Sequence, residues 1–542
     1  MSQPRSSAMT SPVKATALAT TPPTSKVQRR TSQLRARVGD AMDRILARAP
    51  WVRTPWFGSL LVIAGALLTR APGYIRQLFD SDEAAIATMG MVVSRGGVLY
   101  HDVIDRKPPL APLVYAGSFL LTGGRDLRPL HFVAALGLGV SAVVLAYGAR
   151  RVADARAGWW SAGLLIAGAT AMRPVDAQAA NFAHFALLPA CGAIVAARAG
   201  SRRSAALAGV LVGVATLTRQ TWVIGVVPAA YASWWWGGRR PGRAVIVIAC
   251  ALATILSVAV IVPFGDFWHW VFSGNGSVLA LGESQAVFER GAPVVELFLL
   301  ANVATCWLVA QRRWHREDLD LWLWLGTGLV AFVAGFRFFG HYWFQVLPPL
   351  CLLAGLGVAA CPKPVRRMLV VAAVIPAVIA WLLAFSPRLE ARPNTRAVAA
   401  YARTHTRPGD RVTVWGAVPE VYWLSGRAPG GAMVTTDFVL GRTAGRADGP
   451  QRRSDATPGA LKTFLASLHA HPPTLFLDTS TAGTRHYKRY PLTFVPAVAA
   501  FVRMNYVRVG TVRGVEIYRL RRRDIRSPLP RPKPLSPGVI PG

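Results

Sequence analysis

After its first apolar stretch the chain reads Phe79-Asp80-Ser81-Asp82-Glu83. A short helical pattern follows, and then Gly96-Gly97-Val98-Leu99-Tyr100-His101-Asp102-Val103-Ile104-Asp105-Arg106-Lys107-Pro108-Pro109-Leu110. Three carboxylates fall within four residues at the start, and Asp102, Asp105 and Lys107 stand just ahead of a Pro-Pro that stops any helix there. An ionised carboxylate in such a place can take a proton from a hydroxyl. A lysine can meet an anion through charge-assisted hydrogen bonds. Lysine is scarce, seven among 61 basic residues, so one close to these acids carries information. A loop between apolar stretches is also acidic simply because it is wet. What marks this loop for chemistry is the ensemble of acid cluster, Gly-Gly-x-x-Tyr, Asp-x-Lys-Pro-Pro and the apolar run that follows.

The elements that must position this loop are apolar. Of the 542 residues 52% are apolar and 16% charged, and the mean hydropathy is +0.34; soluble domains carry about a quarter charged residues. Stretches near spanning length fall at 56–76, 129–149, 157–172, 180–198, 204–219, 221–236, 243–264, 292–311, 319–336, 342–361 and 366–385. The run Leu110–Leu121 is too short to cross and reads as a helix at the interface. With a cytoplasmic N-terminus, the inner loops of this eleven-span reading are all basic: Arg150-Arg151, Arg202-Arg203, Arg239-Arg240, Arg312-Arg313 and Arg366-Arg367. Counting Leu110–Leu121 as a span would turn these clusters outward. The net charge of +35 is thus that of a polytopic cell-membrane protein, with the lipid bilayer and not nucleic acid as its partner.

This reading divides the chain into a basic cytoplasmic tail (1–52), a transmembrane domain (53–386) whose first outer loop is 77–128, an outer α/β domain (387–522) and an Arg/Pro-rich tail (523–542). Residues 33–48 suit a short amphipathic helix on the inner leaflet. In the α/β domain, helices are expected at Thr395–Thr404, Leu461–His469 and Pro496–Met504, strands at Arg411–Trp415 and Leu475–Asp478, and a terminal hairpin at the end. The five cysteines lie in or beside apolar segments and define no disulfide framework. Polar residues collect at the outer ends of the spans: Arg173, Asp176, Asn181, His184, Arg219, Gln220, Arg337, His341 and Tyr342.

The pattern D-x-D-E…G-G-x-x-Y-x-D…D-x-K-P-P-L resembles the first periplasmic loop of the GT-C glycosyltransferases. The nearest kin are the protein O-mannosyltransferases, the lipid A aminoarabinose transferases and the rhizobial lipopolysaccharide-core transferases. The segment His341-Tyr342-Trp343-Phe344-Gln345-Val346-Leu347-Pro348-Pro349-Leu350 is similar to the family's late outer segment. The resemblance implies a GT-C fold and an inverting transfer of a sugar from a polyprenyl-phosphate donor to an acceptor hydroxyl on a glycan, lipid or protein of the cell envelope. It also implies that Asp82 is the catalytic base and that Lys107 lies near the donor phosphate. The sequence departs from the family's pattern at His184, which follows Asn181 where many relatives carry an acid.

Elementary chemistry is consistent with these roles. A hydroxyl is a poor nucleophile until a carboxylate takes its proton, whereas a leaving phosphate needs positive charge rather than an acid. Arg219, Arg337 and Arg173 are further candidates for that charge. Glu83 joins Asp82 as a catalytic candidate that orients the base or the sugar. Asp105, Tyr100, Asp102, His341 and Tyr342 complete the candidate substrate-binding set. Acid clustering alone is weak evidence for a divalent ion, so none is assigned, but a divalent metal stays open, with Glu83 and Asp105 as the groups to contact it. The competing readings are a transporter or lipid flippase, which would show repeated halves and broken helices at mid-membrane, and a ligand-binding receptor, which leaves the acidic loop without a purpose.

Overall fold

The computed structural model describes residues 55–274, 284–387, 393–442 and 456–521. The two tails, and the amphipathic helix expected over 33–48, lie outside the described residues. The described residues fall into two units, divided between 61 and 62. The described part of the first is the start of the apolar Pro55–Thr69 helix; the second contains everything that follows.

A helix lies over each of the eleven apolar stretches, but few run the full length of a span. Arg128–Val152, Pro241–Val260 and Lys363–Leu383 are long and apolar enough to cross a membrane, and Gly291–Ala301 with Val303–Gln311 reaches that length as a pair bent by 74°. Several others stop short at a polar residue. Arg202–Thr218 ends at Arg219, which is extended, and the chain continues as the 3-10 turn Gln220–Gly225. Gly340–Gln345 is likewise a 3-10 segment ahead of the Leu347–Gly357 helix. Irregular backbone of this kind is tolerated beside a bilayer where it is packed in protein or lines a cavity. Lipid contact is written on the Lys363–Leu383 helix, where Val370, Val371, Val374, Ile375, Val378 and Ile379 share one exposed face.

The short run after Pro-Pro is the Leu110–Thr122 helix, closed by Gly123 in the left-handed conformation. It packs against the Ser81–Val93 helix, the element that carries the acid cluster. Close approach is needed there, because a Cβ at Gly90 would press on Tyr115 at 2.5 Å.

Residues 393–521 build a five-stranded sheet in the order β2-β1-β3-β5-β4, with β1 Arg411–Trp415, β2 Ala428–Pro429, β3 Leu475–Asp478, β4 Tyr506–Val512 and β5 Val515–Leu520. β1 is parallel to β2 and β3, and β5 is antiparallel to β3 and β4. The terminal hairpin turns on Arg513-Gly514, both at positive φ, as a tight two-residue turn requires. The expected helices and strands of this region are present. β2 and the Glu420–Ser425 helix were too short to leave a pattern.

The sheet is no loose appendage. Leu99, Tyr100, Val103 and Ile104 of the acidic loop share one apolar core with Trp415, Phe438, Phe476 and Tyr487. Ile104 also pairs as a strand: its N–H donates to Ala432 O at 2.9 Å, and its carbonyl accepts from Val434 N–H at 3.1 Å. Phe267 and Trp270, on the Phe264–Val271 helix, bridge Tyr100 and Phe438 with ring centroids 5.8 Å apart in each pair.

Candidate active site

The Ser81–Val93 helix begins with its own cap. Asp80 Oδ1 accepts from Glu83 N–H at 2.6 Å, and this N-cap fixes the directions of the next two acids. Asp82 points into a cavity of about 760 Å³, while Glu83 points the opposite way, into protein. The cavity is also lined by Asp105, Arg106, Lys107, Arg219, Gln220, Arg337, His341 and Tyr342. The structure therefore brings together seven of the eleven candidates named from sequence: Asp82, Asp105, Lys107, Arg219, Arg337, His341 and Tyr342. It does not bring Glu83, Tyr100, Asp102 or Arg173 to the cavity.

The first three of these do other things. Glu83 is wholly buried; its two oxygens accept from Phe79 N–H at 2.8 Å and Ala180 N–H at 2.7 Å, and His131 Nε2 lies 3.3 Å away. Burial pushes its carboxyl up to about 7, against the lowering effect of those two N–H groups and of Arg70. Tyr100, at φ 67°, is also buried, and its hydroxyl donates to Lys107 O at 2.8 Å, holding that residue's backbone. Asp102 accepts from Val98 N–H at 2.8 Å on the outer surface of the loop.

At the cavity wall, Lys107 Nζ lies 2.9 Å from Asp105 Oδ2 and 3.2 Å from Asp82 Oδ1. Burial works against both ionised partners, but each stabilises the other. Lys107 is held above its ordinary value by Asp105 and Asp82, and Asp82 is held below the usual carboxylate range by Lys107 and His341. Asp80 is the contrast: burial, with Asp82 and Glu83 beside it, pushes it well above that range. The one carboxylate of the cluster that is ionised and about a third open to the cavity is Asp82.

Arg219 is 4% exposed and sits between the rings of Tyr342, at 4.0 Å, and Phe182, at 5.1 Å. Its Nη1 has no hydrogen-bond partner among the described residues. A buried guanidinium N–H left in that state is ready for an anion. Arg173 is not in this cavity; its Nε donates to Asp176 Oδ2 at 2.7 Å. His184 faces Phe344, 4.4 Å away, and Asn181 caps its helix by accepting from Ala183 N–H at 3.0 Å.

The opposite wall escaped the reading of the sequence. Ala417 and Pro419 follow β1, Gly483, Arg485 and His486 follow β3, and Asp437, Phe438 and Arg442 come from the connection between those strands. Ligands of open α/β sheets bind at the carboxyl ends of adjacent parallel strands, and that rule was the available signal. Arg485 and His486 hold left-handed backbone in succession, φ 53° and 65°, a strained state kept where the surroundings fix it. Arg485 donates to Glu420 at 2.5 Å, Arg442 donates to Asp437 at 3.1 Å, and Arg106 lies over the Phe438 ring at 4.5 Å. Among the described residues no group of three or more His, Cys, Asp or Glu is arranged to hold a metal ion.

The fold that carries this cavity is the GT-C membrane fold. It is similar to ArnT from Cupriavidus metallidurans bound to undecaprenyl phosphate, with 16% identity, a TM-score of 0.56, and coverage of 87% of this chain and 98% of that one. The apo state of the same protein gives 15% identity and the same TM-score. The apo oligosaccharyltransferase of Archaeoglobus fulgidus is similar at 11% identity and a TM-score of 0.50, over 88% of this chain and 76% of that one. No family model and no curated protein matches the sequence.

Proposed function

We propose that the chain is an inverting glycosyltransferase that moves a sugar from a polyprenyl-phosphate donor to a hydroxyl of an envelope glycan, lipid or protein on the outer face of the cell membrane. The observation that carries the reading is the pairing, in one cavity, of an ionised open carboxylate (Asp82) with a buried arginine whose Nη1 is unpartnered (Arg219). Asp82 takes the proton of the acceptor hydroxyl as it attacks C1. Arg219 and Arg337 meet the phosphate that leaves with the C1–O electron pair, and no acid is needed for that departure. Lys107 holds Asp82 ionised and shares the phosphate as negative charge develops on it. Glu83 acts behind the base, tying the Ser81–Val93 helix to Ala180. The similarity to a transferase solved with undecaprenyl phosphate supports the choice of donor class.

In this account eleven segments cross the bilayer, the N-terminus is cytoplasmic, and the cavity and sheet domain face outward. The sheet domain supplies the acceptor side of the cavity. The test is release of polyprenyl phosphate from a short-chain polyprenyl-phosphate sugar by purified protein in detergent, with a panel of mannose, arabinose and aminoarabinose donors. A transporter or flippase would move such a lipid between leaflets of a vesicle and leave it intact.

A further inference from the structure

Behind Asp82 stands a second proton-bearing group. His341 is 4% exposed, lines the cavity, and presents Nε2 to Asp82 Oδ2 at 4.0 Å. That nitrogen has no hydrogen-bond partner among the described residues. The other ring nitrogen, Nδ1, lies 3.4 Å from Asp176 Oδ1, which also accepts from the His341 backbone N–H at 3.0 Å. A carboxylate at Nδ1 places the ring proton there and leaves the Nε2 lone pair toward the cavity. The ring cannot easily turn away. Phe339 lies parallel to it at 5.7 Å and Phe182 meets it edge-on at 5.2 Å. The carboxylate behind it is equally fixed, because a Cβ at Gly340 would collide with Asp176, so a glycine is needed for this approach.

A gap of 4.0 Å is too long for one hydrogen bond and suits one bridging oxygen. An oxygen about 2.8 Å from each end fits between them. We propose that the acceptor hydroxyl occupies this gap and that His341, backed by Asp176, is the residue on which its proton comes to rest. This rests on the transferase reading above. The hydroxyl oxygen forms its bond to C1 while the C1–O(phosphate) bond breaks with its electron pair on phosphate. The hydroxyl proton goes to Asp82 Oδ2 as that bond forms; once the product has left, a water entering the 4.0 Å gap accepts from Oδ2–H and donates to Nε2, so the proton moves on to the imidazole. The imidazolium so formed faces Asp176 and loses its proton to water before the next turnover.

The division of labour has a physical reason. Asp82 is kept ionised by Lys107, which makes it a good electrostatic partner for the attacking hydroxyl and a poor place to store a proton. The His341 Nε2 faces the same cavity and has no hydrogen-bond partner among the described residues. His341 thus supplies what the Asp82–Lys107 pair gives up.

The experiment is chemical rescue of His341→Ala, with donor binding measured on the same preparation. Turnover should fall about 10²-fold with donor affinity retained, and added imidazoles should restore it at rates that rise with their basicity. Three results would each overturn the inference: near wild-type turnover in His341→Ala, loss that no azole restores while donor still binds, or rescue indifferent to azole basicity. His341→Gln, which keeps polarity without a transferable proton, should be as slow as His341→Ala. Failure of the wild-type protein to transfer any sugar would instead strike the transferase reading itself.

Discussion

The two walls of the cavity are built by opposite strategies. The near wall, built on the first acidic loop, takes its principal groups, Asp82, Asp105 and Lys107, from 26 consecutive residues, with a helix cap to aim one and a buried tyrosine to hold another. The far wall takes Pro419, Asp437, Arg442, Arg485 and His486 from loops up to 67 positions apart and gathers them at the ends of two parallel strands. The near wall holds charges locked to one another across the cavity edge. The far wall holds its charges to its own framework, Arg442 to Asp437 and Arg485 to Glu420. In the proposed transferase this concentrates reaction chemistry on one side and leaves the other to vary with the acceptor. The short strand pairing of Ile104 with residues 432–434, the shared apolar core and Arg106 over the Phe438 ring tie the two together.

Mutations can break or sharpen this contrast. Asp82→Asn carries the largest expected loss, about 10²- to 10⁴-fold in turnover, because it removes the base while keeping the side chain's size. Lys107→Ala should cost about 10- to 150-fold in kcat/KM, as loss of a charged contact worth roughly 1.5–3 kcal/mol implies, and the loss should appear in donor kinetics. Across the cavity, His486→Ala should raise the acceptor KM about two- to tenfold, the scale of one neutral hydrogen bond, with donor kinetics unmoved. A matching donor defect would erase the distinction between the walls. Asp80→Asn should change turnover least, because asparagine caps a helix about as well as aspartate and burial already pushes the Asp80 carboxyl toward its neutral form.

Glu83 offers a test on stability. Its folded-state carboxyl titrates at about 7 rather than at the ordinary 4.5, so the folded protein binds more protons than the unfolded chain between those values. Its contribution is fully present below about pH 4.5 and is lost as pH rises through about 7. Glu83→Gln should flatten that part of the Tm-against-pH curve measured in detergent. An unchanged slope would mean that another group governs it.

Much of the near wall was legible because its chemistry is contiguous. Acid spacing, the Gly-Gly turn and the Pro-Pro stop give positions along a chain, and the helix they bracket does the rest. Direction was not legible. Asp82 and Glu83 are adjacent, and only the cap geometry at Asp80 and the packing of Ala180 against the helix send one to the cavity and the other into the protein. The eleven apolar stretches were readable by composition, but their breaks at Arg219 and at Gly340–Gln345 fall where Arg219, His341 and Tyr342 line the cavity. The far wall left no local pattern because it is a product of strand order. The approach of Asp176 to His341, 165 positions apart in the chain, was hidden for the same reason.

The central claim is that one cavity performs sugar transfer on Asp82. The most direct measurement is polyprenyl-phosphate release by wild-type and Asp82→Asn protein, each saturated with a short-chain polyprenyl-phosphate sugar whose binding is measured in parallel. The account predicts equal donor binding with release reduced about 10²- to 10⁴-fold in the variant. Release by Asp82→Asn near the wild-type rate, at equal donor occupancy, would contradict it.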